Sequence, residues 1–193
     1  MYPKITYILV DLPETNVISS FFLSQSFPNA LFGFGDDFSR LELSLEKNNK
    51  YDFLILSPSD IENIDNELID MVINTRSMME MNYSSLKFYF NQINRIMKVD
   101  GLLYLLNRYQ KISFMKHYPF DKKWGIISSK KWPRFIDSNP CHELLLRRIK
   151  NVDDELDRHL KSFPPYGWVS MKHKLKKTLV MKNILKTWRG NIA

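Results

Sequence analysis

Short apolar runs punctuate the chain, separated by stretches in which apolar positions return at helical spacing or give way to polar turn residues. Residues 5–10 (ITYILV) lie between Pro3 and Asp11-Leu12-Pro13, the pattern of a buried strand. Pro13 bars further pairing. Thr15 is placed to cap a helix running to about Gln25, with Val17, Ile18, Phe21, Phe22 and Leu23 gathered toward one face. A weak strand is predicted over residues 31–34, and residues 41–45 are too short a run to assign. Residues 51–56 (YDFLIL) predict a second clear strand, closed by Ser57-Pro58-Ser59-Asp60, which opens a helical turn through Asn66. A third strand is predicted over 68–73. After the polar segment Asn74-Thr75-Arg76-Ser77, an amphipathic helix starts at Ser84 and runs to about Lys98, with Leu86, Tyr89, Phe90, Ile93 and Met97 on one side. Asp100-Gly101 stops it, and residues 102–106 predict a fourth strand. Apolar on both faces, these strands predict a parallel sheet covered by helices.

Beyond Tyr109 the rhythm changes. Residues 124–129 and 143–149 read as two strands with no helix-length pattern between them, so an antiparallel pair is the simplest connection. An acidic helical turn (151–158), a Pro-Pro loop (163–167) and a basic helix follow. The expected organisation is an α/β domain over residues 1–150 and a helical extension over 151–193, with the basic helix at 171–189.

Composition narrows the function classes. With 44% hydrophobic and 25% charged residues the chain can form a core. No run of eighteen apolar residues exists, and the first apolar run ends at Asp11 without a small-residue cleavage site, so a cytoplasmic protein is expected. The single Cys141 excludes an internal disulfide, and the scattered histidines give no metal-ligand spacing. The net charge of +7 is local: residues 171–193 carry seven Lys and Arg and no acid, and the rest is balanced. No nucleic-acid partner is therefore expected. The basic stretch, with Leu175, Leu179, Ile184, Leu185 and Trp188 on its other side, suits either a helix packed on the domain or peripheral contact with the inner face of a membrane.

Three segments carry a resemblance. Residues 8–14 read ILVDLPE, residues 71–82 read MVINTRSMMEMN and lead into the helix with Tyr89-Phe90, and residues 103–109 read LYLLNRY. Together with His142-Glu143 they resemble the sugar O-methyltransferase family, in which a strand ends in D-L-P-E, a second segment reads N-x-x-S-x-x-E-M and a later strand ends in N-R. The resemblance covers roughly residues 5–150. It implies a Rossmann-like class I methyltransferase sheet, mostly parallel with a C-terminal antiparallel hairpin, and S-adenosylmethionine as cofactor. By that resemblance Asp11 would meet the ribose hydroxyls, Ser57 and Ser59 the adenine, and Asn74 and Ser77 the cofactor's amino-acid portion and transferable methyl. The family's first strand and glycine-rich turn belong before Ile5, where four residues stand, so the first strand is expected to be missing. Gly33-Phe34-Gly35, after a helix and a weak strand, is a poor substitute. A fragment, a complementing chain and a degenerate homologue each account for the gap; the exposed sheet centre would invite a homo-oligomer or a complementing chain.

Methyl transfer to a sugar hydroxyl needs a base at the carboxyl edge of the sheet to take the proton. Glu80 is the first candidate, its alternative being a carboxylate that stabilises a helix start. His142 and Glu143 are the second, with a solvated strand end as the alternative. Asn107, Arg108 and His117 are candidate contacts to the substrate, a glycan or nucleotide sugar, Arg108 through a phosphate. Trp124, Trp132 and Trp168 could stack on sugar rings or be buried. The competing functional reading is a non-catalytic remnant or interaction module.

Overall fold

The computed structural model describes residues 5–35, 51–132 and 141–164. The segment 41–45, Trp168 and the basic helix expected at 171–189 lie outside the described residues. The fold is α/β, with a three-stranded parallel sheet and a four-stranded mixed one. Two compact units divide the chain: residues 1–70 with 91–98, and residues 71–90 with 99–193.

In the first unit, β1 (Tyr7–Val10) and β2 (Phe32–Phe34) flank β3 (Phe53–Leu56), both running parallel to it. Leu54, Ile55 and Leu56 are buried because the central strand is covered on both sides. β1 pairs on one side only among the described residues, so it is an edge strand of its sheet. Helix α1 (Pro13–Ser26) begins at Pro13, not at a Thr15 cap; proline suits a first helical position because it lacks a hydrogen that the helix cannot use there. Its facing also departs from expectation. Val17, Ile18, Phe21 and Phe22 are exposed by 67–71%, while Asn16 is buried and Ser19, Ser20, Leu23 and Ser24 are half-buried. On the inner side Asn16 Nδ2 donates to the carbonyls of Asp11 (3.0 Å) and Leu56 (2.9 Å) at the ends of β1 and β3 and ties the helix to them.

A 3-10 turn, Pro58–Asn63, follows β3. Its last carbonyls are satisfied from Arg95, whose guanidinium donates to the carbonyls of Ile61 (2.9 Å) and Ile64 while Gln92 Oε1 accepts from it at 2.8 Å.

The second unit is built on a sheet of order β4-β5-β7-β6, where β4 is Ile69–Thr75, β5 Met97–Arg108, β6 Trp124–Lys131 and β7 Cys141–Arg148. β7 runs antiparallel to both β5 and β6, so the expected hairpin is present. Helix α2 (Tyr83–Ile96) ends sooner than expected, and β5 follows at once. Asp100-Gly101 therefore does not separate helix from strand: Asp100 takes a left-handed φ of 66° within β5. Alternation along β5 buries Gly101, Leu103, Leu105 and Asn107 on one face. Leu86 and Phe90 of α2, Trp124 of β6, and Leu144 and Leu146 of β7 are also fully buried in this unit. Helix α3 (Glu155–Lys161) buries Leu156 and Leu160. Among the described residues no helix is long and apolar enough to cross a membrane.

Candidate functional site

A network of polar side chains holds the turn after β4. Asn107, with no solvent exposure, accepts the Met79 N–H through Oδ1 (3.3 Å) and donates to Asn74 Oδ1 (3.0 Å). Asn74 in turn donates to Ser77 Oγ (2.5 Å) and accepts the Met78 N–H (3.3 Å). A buried amide that satisfies a backbone hydrogen and a second amide costs little to bury and much to remove. It fixes the turn that projects Glu80, which is 40% exposed and paired with Lys111 Nζ. The loop 109–115 folds against the same turn: Ile112 N–H donates to the Met79 carbonyl (3.0 Å), and Ser113 Oγ to that of Met81 (2.5 Å). Asn74, Ser77 and Asn107 are thus brought together, but mainly onto each other. Arg108 donates its backbone N–H to Met79 Sδ at 3.4 Å. His117 is exposed at a short 3-10 turn, its ring 5.4 Å from that of Phe114.

In the first unit Asp11 stands exposed past the carboxyl end of β1. Its Oδ1 accepts the Leu12 N–H (2.8 Å), and among the described residues the other oxygen has no hydrogen-bond partner. Ser57 is differently engaged: Asp60 Oδ2 accepts both its N–H and its hydroxyl at 2.7 Å, and Ser59 Oγ lies 2.8 Å from Ser57 Oγ. The two glycines of Gly33-Phe34-Gly35 have packing reasons of their own. A Cβ at Gly33 would press on Leu54 Cδ2 (3.0 Å) and the Tyr51 ring (3.1 Å), and one at Gly35 would run into the Asp60 carboxylate.

On the hairpin, His142 is the second residue of β7 and is 5% exposed, so it is buried and not a solvated strand end. Tyr109 Oη is 2.6 Å from its Nδ1, Ser129 Oγ is 2.7 Å from its Nε2, and the same Oγ is 2.6 Å from His159 Nε2. The ring of Phe163 packs on the His142 ring at 4.5 Å. Burial, and then the charge on His159, push the His142 pKa down to about 4. The imidazole is therefore neutral at pH 7, with both nitrogens occupied. Glu143 accepts from Tyr104 Oη (3.5 Å), whose phenol is held above its ordinary value by desolvation and then by this carboxylate. Trp124 is buried with the Arg148 guanidinium 5.0 Å over its ring, so it is a core residue. Tyr109, Ser129 and His159 had no sequence signal, because their association depends on the register of the hairpin and on where α3 packs.

No family model matches the chain, and no curated protein does. Among solved structures it is similar to a protein from Sulfolobus solfataricus described as a type 11 methyltransferase, at 17% identity and a TM-score of 0.39, over 76% of this chain and 85% of that one. It is also similar to an rRNA methylase from Streptococcus thermophilus, at 13% identity and a TM-score of 0.41, over 75% of this chain and 88% of that one. TM-scores this low describe a partial likeness in the path of the chain, and neither substrate nor cofactor is inferred from them.

Proposed function

We propose that the chain is built to serve S-adenosylmethionine-dependent transfer of a methyl group to a sugar hydroxyl, with Glu80 as the base. The observation that carries this reading is the exposed Glu80 carboxylate on a turn held by the buried Asn107–Asn74 pair, within the N-x-x-S-x-x-E-M segment. Ligands of open α/β sheets bind beyond the carboxyl ends of the strands, where this turn lies. S-Adenosylmethionine, when bound, supplies a methyl carbon on sulfonium. Asp11 has a free carboxylate oxygen with which to accept from a vicinal diol, so it fits the ribose role. Ser57 fits poorly, since its hydroxyl already serves Asp60.

The proton of the acceptor hydroxyl goes to Glu80, once the hydroxyl displaces Lys111 from the carboxylate. His142 is the poorer candidate because it is buried and both of its nitrogens are already engaged, by Tyr109 and Ser129. Calorimetric titration with S-adenosylhomocysteine tests the reading. Sub-millimolar binding, lost in Asp11→Ala, is expected; absence of binding would sink it. Glu80→Gln should then lower methyl transfer about 10²–10⁴-fold while leaving that binding intact.

A second reading, a non-catalytic interaction module, draws support from the exposed apolar stripe of α1. The same titration separates the two.

A further inference from the structure

Arg76 lies one residue beyond β4, between Asn74 and Glu80, and has a left-handed φ of 63°. That conformation disfavours a branched or long side chain, and glycine or asparagine would occupy it more easily. The surroundings hold the backbone there. Arg76 N–H donates to the Leu106 carbonyl at 2.8 Å, and the Asn74–Ser77 hydrogen bond closes the turn around it. The side chain is exposed, and among the described residues its guanidinium makes neither a hydrogen bond nor an ion pair. Lys111, on the loop that folds against this turn, is committed to Glu80. An arginine kept in an unfavourable backbone conformation, with no hydrogen-bond or ion-pair partner for its guanidinium among the described residues, is suited to a ligand.

We infer that Arg76 is an anion-binding residue that selects an acidic sugar as acceptor, taking a carboxylate or phosphate of the acceptor through two parallel N–H bonds. The fork of a guanidinium matches two oxygens of either group. Glu80, four residues on, is then within the same turn to meet a hydroxyl of the same molecule. Arg76 is exposed at the turn, whereas Arg108 is half-buried at the end of β5. The inference rests on the methyltransferase reading for the word acceptor, and on Arg76 alone for anion binding.

The test is equilibrium binding of glucuronate, glucose 1-phosphate, inorganic phosphate and glucose to the full chain, with S-adenosylhomocysteine titrated into the same samples. Glucuronate or glucose 1-phosphate is expected to bind at least tenfold more tightly than glucose. Whichever of the two prevails identifies the anion as carboxylate or phosphate. Arg76→Ala should lose that preference, and Arg76→Lys should recover part of it. Arg76→Gly should also lose it while its thermal midpoint stays level or rises, since glycine relieves the backbone; a merely structural arginine would not separate these readouts. Equal binding of glucose and the acidic sugars, or an acidic-sugar affinity unchanged in Arg76→Ala, would overturn the inference. Inorganic phosphate binding as tightly as glucose 1-phosphate would overturn the sugar part of it. S-Adenosylhomocysteine binding reports separately: its absence alongside Arg76-dependent anion binding would remove the methyltransferase reading and leave the anion site.

Discussion

Acidification from pH 7.5 to pH 5 should destabilise the second unit through His142. In the folded chain the imidazole sits in a relay from Tyr109 through His142 and Ser129 to His159, with Phe163 against its ring. One consistent proton order has Tyr109 donating to Nδ1, His142 Nε2–H donating to Ser129, and Ser129 donating to His159. A proton added to His142 reverses the Tyr109 bond and places a charge in an apolar enclosure beside a second imidazole. The folded pKa of about 4 lies below the ordinary 6.5. The unfolded chain therefore binds the proton first, and stability present above pH 6.5 is lost as the pH falls toward 4. Linkage puts the loss at about 2 kcal/mol between pH 7.5 and pH 5, an upper figure because the half-buried Ser129 end admits some screening. Urea unfolding of the wild type and of His142→Gln at the two pH values isolates it, because the carboxylates contribute equally to both proteins. The wild type should lose more stability than the variant by roughly 1–2 kcal/mol. Direct NMR titration of the His142 ring protons covers the case in which the variant does not fold. A midpoint near 6.5, or parallel losses in the two proteins, would refute the reasoning.

Asn107→Ala should cost about 1–3 kcal/mol, read as a fall in urea midpoint, because it leaves the Met79 N–H and the Asn74 amide without their buried partner. Phe21→Ser and Phe22→Ser should change unfolding stability by no more than about 0.5 kcal/mol, since both rings are exposed, whereas Phe90→Ala should cost about 3–5 kcal/mol. Gly35→Ala should push Asp60 away from Ser57 and cost about 1 kcal/mol in chemical denaturation; Asp60→Ala should cost about as much, and the double variant little more.

The strands were legible because each is an apolar run closed by residues with a strong local bias: Asp11-Leu12-Pro13 after β1, Ser57-Pro58 after β3 and Asn74 to Ser77 after β4. The antiparallel hairpin was legible from the lack of a helix between its strands. The orientation of α1 was not. Positions 17, 18, 21 and 22 define an apolar face, but spacing cannot say whether that face or Asn16 meets the sheet. In the structure it is Asn16 that meets the sheet, its amide bonded to two strand-end carbonyls. The glycine pair at 33 and 35 was ambiguous for a similar reason. Close approach to a ligand and close approach to Tyr51, Leu54 and Asp60 call for the same residue.

Position at a strand end proved too coarse a guide to chemistry, and alternation along the strand a better one. Asn107 shares parity with Leu103 and Leu105 on β5, and His142 with Leu144 and Leu146 on β7; all six are buried. A polar residue in phase with core residues must be satisfied internally, as both are, so its chemistry is directed at holding neighbours in place. Asp11, Arg76 and Glu80 lie beyond the last residue of a strand, where alternation no longer assigns a side, and all three are exposed. Parity thus separates residues that build the edge from residues able to meet a ligand. On that criterion Asn74 and Asn107 act through Glu80 and Arg76: loss of the amides should disturb function and stability together, and loss of the exposed charges should disturb ligand binding (Asp11, Arg76) or methyl transfer (Glu80) without a loss of stability.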